Sequence, residues 1–444
     1  MSLRYPIRPV GQDDLTAFIE PSRQAFNTDW SAANMARLDE MVSEPERTLA
    51  AFDGDQIVGS AVAYSFGLTV PGGDVPAAGV SSVAVLPSHR RRGILSALMT
   101  RQIDDVLGRG EPVAALFASE SAIYQRYGYG PAVAEQRYVI NCRVARFRER
   151  PEAAAPASDA APAADAGARP GAAHGTGPVT LRIAEPASAL RQMAEVYEAV
   201  RPTRPGMISR TAAWWDLAVS DPEFARRGRS PLLSLIAEDD SGPRGYALYA
   251  TKDDWDADGI ADGAMVVHEL FSADPAAYAA LWADLLSRDL VTTARTYRRP
   301  VDDPLPFLLT ESRQVRARQS DGLWIRLVDL PAALAARRYL RPVDLVIEVT
   351  DALVPANAGR WRLRAAAAER TWQAADGGEA ICERTTADAD VALDVSALGA
   401  AYLGGTRLSA LAGAGQIAEL RHGAVAELSS AMSWDPAPWA PIMF

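Results

Sequence analysis

Two tandem copies of one mixed α/β fold, followed by a smaller α+β domain, is the architecture this sequence predicts, and three observations predict it. The chain has 444 residues, more than one hydrophobic core usually organises. A segment with almost no branched or aromatic residue, Pro151–Pro178, divides it and reads as a flexible linker or long surface loop. The order of strand-like and helix-like runs before that segment recurs after it.

The first half opens with RYPIRPV, continues through a helical stretch, and offers TLAAFDGDQIVGSAVAYSF, two apolar runs flanking a Gly and Asp turn. The second half opens with VTLRIAEP and gives PLLSLIAEDDSGPRGYALYA in the same relative place. A strand and a helix follow in both, GVSSVAVLPSHRRRGILSALMTRQI first and AMVVHELFSADPAAYAALWADLL second. Each half then supplies a strand, a short helix and a closing strand pair, VAALFAS through YVINC and VTTARTY through LWIRLVD. Beyond about Pro331, helix-like PAALAARRYL precedes the strands VDLVIEVTD and GRWRLRAAA, which the turn-rich VPANAG separates. The end reads as helical from ADVALDVSALGAAYLGG onward. The expected limits are therefore 1–150, a linker 151–178, then 179–330 and 331–444.

Composition narrows the class. Apolar residues at 48% and charged residues at 23% describe an ordinary globular protein, and no run of eighteen apolar residues offers a membrane span. MSLRYPIRPV has no basic stretch followed by an apolar core, so a cytoplasmic protein is expected. Cys142 and Cys382 are far apart and outside any CxxC spacing, and His89, His174, His268 and His422 never fall at ligand spacing, so neither a disulfide framework nor a metal is expected. A net charge of −11 disfavours nucleic acid, whose phosphates need clustered cations, and suits cationic small molecules if the acids line a cleft.

The segment VAVLPSHRRRGILS, Val83–Ser96, carries the chemistry. Ser82, Val83, Ala84 and Val85 read as a strand that Pro87 closes, and Arg90, Arg91 and Arg92 place cations at the start of a helix. A helix N-terminus offers free backbone N–H groups and a favourable dipole to a pyrophosphate. Gly93 admits close backbone approach, and Ile94, Leu95 and Leu98 hold the helix on the sheet. The segment is similar to the acetyl-coenzyme A motif of the GNAT acetyltransferases, R/Q-x-x-G-x-G/A. Arg90 to Gly93 fit it, while Leu95 stands where the last small residue belongs. The equivalent stretch of the second half, VVHELFSADPAAYAALW, has Asp274 in place of cations and no glycine, so one cofactor site per chain is expected.

Acetyl transfer to an amine needs a neutral nitrogen, a polarised thioester carbonyl and a proton for the departing thiolate. Backbone N–H groups near Val85 suit the carbonyl, and FASESAIYQRYGYGPA offers Tyr124, Tyr127 and Tyr129 as proton donors. ASExxIYxRxGYGPA with PSHRRRGIL resembles the Eis (enhanced intracellular survival) family of actinobacterial acetyltransferases. So do DPLPFLLTESR, DGLWIRLVDLPAAL, ADVALDVSALGAAYLGG and LAGAGQI, and the resemblance covers essentially the whole chain.

The resemblance implies two tandem GNAT folds, the second degenerate, with a C-terminal domain like sterol carrier protein. It further implies hexamers that acetylate several amines of aminoglycosides. It gives Tyr124 the role of general acid, leaves Tyr127 and Tyr129 to packing, and sets Ser119 and Glu120 where the backbone approaches acetyl-coenzyme A. The general base is then the C-terminal carboxylate of Phe444, which closes PWAPIMF and stays ionised at neutral pH. Asp29, in FNTDW, matches an acidic substrate contact after a one-residue shift. Met443 stands where aminoglycoside-acetylating relatives carry a carboxylate, and Ser82 replaces a bulkier aromatic. A lost charged hydrogen bond there weakens polycation binding by about 1–3 kcal/mol. A protein lysine or another small amine therefore stays open as acceptor, as does a lipid- or partner-binding module with a vestigial cofactor site.

Overall fold

The computed structural model describes residues 5–148, 178–368 and 380–444, so the Pro151–Pro178 linker lies, but for its last residue, outside the described residues. The chain forms two compact units that do not follow chain order. The first comprises Met1–Glu135, Arg201–Ser220 and Gln319–Phe444, and the second Gln136–Val200 and Asp221–Arg318.

In the first unit a seven-stranded sheet runs in the order Ile7–Pro9, Thr48–Asp53, Gln56–Val70, Gly73–Val85, Val113–Phe117, Leu323–Leu327, Gly130–Pro131. The expected hairpin closes at the Asp53 to Gln56 pair. Only Gly73–Val85 and Val113–Phe117 pair in parallel, and the connection between them is the helix Ile94–Gly108. That helix exists as a crossover because Ile94, Leu98, Met99, Ile103 and Val106 recur at helical spacing and are all buried against the sheet.

The same unit holds the C-terminal sheet, ordered Ile381–Arg384, Gly359–Ala365, Val343–Thr350, Val391–Asp394, Ile417–Glu419. Here ADVALD departs from the helical expectation. Val391 and Leu393 are buried alternately in a strand, and Asp394 then accepts from Ser396 N at 3.0 Å to start the helix Val395–Ala401.

The second sheet repeats the plan, with strands in the order Arg318–Asp321, Ala134–Asn141, Val291–Pro300, Gly263–Ser272, Gly242–Lys252, Leu233–Asp239, Thr180–Ala184. One feature differs from the expected repeat. The strand containing YVIN, expected to close the first sheet, lies in the second between Arg318–Asp321 and Val291–Pro300, and the strand LWIRL, expected to close the second, lies in the first between Val113–Phe117 and Gly130–Pro131. The closing strands are exchanged, which alternation of apolar residues does not encode, because either sheet accepts the same pattern.

The exchanged strand carries Arg326, fully buried, whose guanidinium meets both Asp351 oxygens at 2.9 and 2.7 Å. Asn357 donates to the same carboxylate at 2.9 Å. Removing one member of a buried pair strands a charge in a low dielectric. Asp351→Asn should cost about 3–5 kcal/mol in urea unfolding, and the paired change Arg326→Met with Asp351→Leu should cost less than that single change.

Candidate active site

Gly73–Val85 and Val113–Phe117 stay paired only as far as Val80 opposite Leu116. On its other edge the first strand pairs with Gln56–Val70, where the register shifts between Ser60 and Val62 and Ser82 adopts a φ of 50°. A non-glycine residue at positive φ inside a strand marks a bulge that bends it. The hydroxyls of Ser60, at 2.8 Å, and Ser22, at 3.4 Å, both donate to the Ser82 carbonyl and hold the bulge. Beyond it the two strands diverge, so Val83, Ala84 and Val85 form one side of a wedge and Ser119 and Glu120 lie on the chain leaving the other.

From Val85 the chain makes a single turn at Pro87–His89 and reaches the helix through Arg91 at φ 62° and Gly93 at φ 83°. Gly93 is needed for that left-handed cap, and nothing lies within 4 Å of where its Cβ would stand. The first-turn N–H groups, those of Ile94, Leu95 and Ser96 among them, have no partner in the helix. Arg90 and Arg91 are exposed and make no hydrogen bond or ion pair among the described residues, whereas Arg92 donates to the Tyr5 hydroxyl at 3.0 Å. An open helix N-terminus beside free guanidiniums fits the phosphates of coenzyme A.

The second unit shows how such a terminus is closed. Asp274 accepts from Ala276 N at 2.7 Å and Ala277 N at 2.9 Å, and Pro275 removes a further donor. The N–H groups that would face a phosphate are taken by a carboxylate that also repels it.

Tyr124 ends the short helix Ser121–Tyr124 and is buried. Burial raises its phenol above the ordinary range, a hydrogen bond with Ser119 opposes that, and the nearby Glu120 and Tyr127 raise it further. The hydroxyl thus stays protonated at neutral pH. Tyr129 packs edge-on against Tyr124, ring centroids 6.2 Å apart, and its own hydroxyl is buried with no hydrogen-bond partner among the described residues. Tyr127 does more than pack, since its hydroxyl lies 3.1 Å from Ser96 Oγ on the first turn of the cofactor helix. Leu95 is half-buried against the same aromatic cluster.

The chain end is held in this unit. Arg204 donates to the Ala437 carbonyl at 3.0 Å and Trp439 N to the Pro205 carbonyl at 2.8 Å. The Arg201–Ser220 segment is in turn bonded to Gln56–Val70 through Gly67, Thr69, Gly206, Met207 and Ser209. So anchored, the tail brings the Phe444 ring against Phe66 at 5.1 Å and Phe117 at 5.3 Å, beside Gly79. Phe117 is the last residue of its strand, where the wedge opens.

Asp29 is exposed in the loop between the helices Leu15–Ala25 and Ala32–Asp39. The acid that sequence reasoning passed over is Asp39. Half-buried at the end of the second of those helices, it makes no side-chain hydrogen bond or ion pair among the described residues, and burial pushes its carboxyl up to about 6. Its signal in the sequence was an aspartate at the C-terminal end of a helix, where the dipole disfavours it.

A parallel strand pair that splays beside a cation-lined helix N-terminus defines an acyl-coenzyme A-dependent transferase of the GNAT fold. Comparison with known proteins agrees: acetyltransferase (GNAT) domain models match residues 6–132 and 206–327, and a sterol carrier protein domain model matches 330–441. An uncharacterized N-acetyltransferase of Streptomyces avermitilis is 41% identical over 98% of both chains. N-acetyltransferase Eis of Mycobacterium tuberculosis is 35% identical over 82% of this chain and 80% of its own. The crystal structure of Eis1 from Mycobacterium abscessus superposes with a TM-score of 0.76 at 32% identity, covering 99% of this chain and 100% of that one. The chain belongs to the Eis family of N-acetyltransferases, built of two GNAT domains and a sterol-carrier-like domain. GNAT acetyltransferases take the acetyl group from acetyl-coenzyme A. Among the described residues no helix is long and apolar enough to cross a membrane.

Two measurements follow. Arg90→Ala with Arg91→Ala should raise KM for acetyl-coenzyme A by about tenfold or more at low salt, the effect shrinking as ionic strength rises. Asp39 should destabilise the fold where it is ionised. Its folded pKa of about 6 lies above the ordinary value of 3.8, so the native state holds the proton more tightly and stability falls as pH rises between them. Asp39→Asn should therefore unfold at higher temperature than wild type at pH 8, by at most about 3 kcal/mol in stability, and at the same temperature near pH 4.

Proposed function

We propose that this enzyme acetylates primary amines of small polycationic acceptors, aminoglycosides among them, at more than one position. The observation that carries the reading is the seating of Phe444 between Phe66 and Phe117 at the mouth of the splayed strands, on the face where the acetyl group of the cosubstrate belongs. Arg204, Pro205 and two aromatic rings hold the tail at that place, which supports the reading.

In this reading the cosubstrate phosphates rest on Arg90, Arg91 and the N–H groups from Gly93 to Ser96, and the thioester lies along Val83–Val85. The acceptor enters as an ammonium and loses a proton to the terminal carboxylate of Phe444. Its nitrogen bonds to the acetyl carbon as the carbon–sulfur bond breaks, and the Tyr124 hydroxyl gives its proton to the departing sulfur. Burial supports that role by keeping Tyr124 protonated. The family's hexameric assembly is proposed for this chain as well.

Steady-state turnover of acetyl-coenzyme A with kanamycin-like amines tests the assignment. Tyr124→Phe and deletion of Phe444 should each lower kcat by about 10²-fold or more while KM for acetyl-coenzyme A moves little. Full activity in both variants would remove the proposed roles, and mass detection of the products counts the acetyl groups added.

A further inference from the structure

The turn that carries the three arginines lies open to solvent, and its backbone is strained. Pro87, Ser88, Arg90, Arg91, Arg92 and Gly93 are all exposed. Arg91 and Gly93 both stand at positive φ, and only the glycine adopts it freely. Three neighbouring cations repel one another, and the helix Ile94–Gly108 turns its positive end toward them. Without outside contacts such a segment would sample many arrangements, and a ligand would have to order it.

Those contacts exist. Leu86, buried where the strand ends, donates through its N–H to the Val58 carbonyl at 2.9 Å, and His89 N closes the turn on the Leu86 carbonyl at 2.8 Å. His89 Nε2 donates to Asp53 Oδ2 at 3.1 Å, and its Nδ1 lies 2.9 Å from Ser88 Oγ. The same ring stands edge-on to Tyr5, centroids 6.0 Å apart. Tyr5 is buried, and its hydroxyl accepts from Arg92 Nη1 at 3.0 Å. Asp53 ends the strand Thr48–Asp53 and Tyr5 precedes Ile7–Pro9, so the turn after Gly73–Val85 is braced from the edge of its sheet.

The brace sorts the arginines. Arg92 is directed back to Tyr5, while Arg90 and Arg91 make no hydrogen bond or ion pair among the described residues. The Asp53 side chain is 53% exposed, so its pair with His89 adds at most about 1 kcal/mol to the fold. What the pair supplies is position.

On the reading that the cosubstrate phosphates rest on Arg90 and Arg91, we infer that Tyr5, Asp53 and His89 are positioning residues of the coenzyme A site, and that Arg92 acts through Tyr5 rather than on a phosphate. By holding the residue before Gly93, the Tyr5 bond keeps the left-handed cap in place and presents Arg90, Arg91 and the first-turn N–H groups already arranged. The ordering of the turn is then completed in folding instead of on binding.

Calorimetric titration of coenzyme A at low and at high ionic strength tests this, because salt weakens a contact between charges and leaves a bond to a phenol largely untouched. Tyr5→Phe removes no charge, and it should weaken binding by about three- to tenfold at both salts with the wild-type salt dependence. Arg92→Met should do the same, and the double variant should bind no more weakly than Arg92→Met alone. Arg90→Met and Arg91→Met should each flatten the salt dependence. His89→Ala should lose a similar factor, part of which His89→Gln restores by keeping a donor for Asp53. Equal or tighter binding in Tyr5→Phe, or additive losses in the double variant, overturns the inference and leaves the phosphate seat standing. An unaltered salt dependence in Arg90→Met and Arg91→Met overturns both. Should Arg92→Met fail to fold, Arg92→Gln takes its place.

Discussion

Everything that gives this fold its chemistry depends on two neighbouring strands ceasing to pair after Val80 and Leu116. Up to that point the parallel ladder satisfies the backbone of both. Beyond it, the Ser82 bulge turns one strand aside, and the strain of a positive φ is offset by two serine hydroxyls on its carbonyl. The wedge that opens has a polar backbone edge and an aromatic floor. Gly79 makes that floor possible, since a Cβ there would lie 2.3 Å from the Phe66 ring and 3.0 Å from that of Phe444. One glycine and one bulge thus set where the strands part and where the Phe444 ring can seat.

Delivering that end takes parts from the whole chain. The Arg201–Ser220 segment, expected from its place in the sequence to serve the second copy, packs in the first unit and forms the rail on which the tail lies. Gly206 shows how close the fit is, because a Cβ on it would come within 2.9 Å of the Trp439 carbonyl oxygen. The exchanged strand Leu323–Leu327 ties the catalytic sheet to the C-terminal domain through Arg326 and Asp351. The position of the tail is thus fixed by contacts distributed over distant parts of the chain.

The sequence carried the parts whose chemistry is local. A branched strand, a proline, three arginines, a glycine and an apolar helix need one another within a few residues, so VAVLPSHRRRGILS was legible as a strand, a turn and a helix, and the lack of a basic turn and glycine at its counterpart around Asp274 was legible as well. The hairpins were legible from their Gly and Asp turns. The strand exchange was not, because the burial pattern of Tyr138 and Ile140 says that they face a core without saying which. Nor was ADVALD separable from the helix that follows it until Asp394 was seen capping that helix. Asp39 was hidden for a different reason: one aspartate among the polar residues of a short amphipathic helix looks solvated, and only its burial, with no side-chain partner among the described residues, makes it an acid worth explaining.

The two GNAT copies in this chain show the difference between a terminus that folds and one that works. Pro275 and Asp274 give the helix of the second copy what an isolated helix prefers, a fixed first φ and a carboxylate on its free N–H groups. The first copy forgoes both. Its helix begins at a left-handed Gly93 with no side-chain cap, beside Arg90 and Arg91, whose charges the dipole repels. Asp39 repeats the pattern with the opposite charge, an acid at the negative end of its helix. An uncapped N-terminus with cations and an acid without a side-chain partner among the described residues at a C-terminus are each unfavourable for the fold alone.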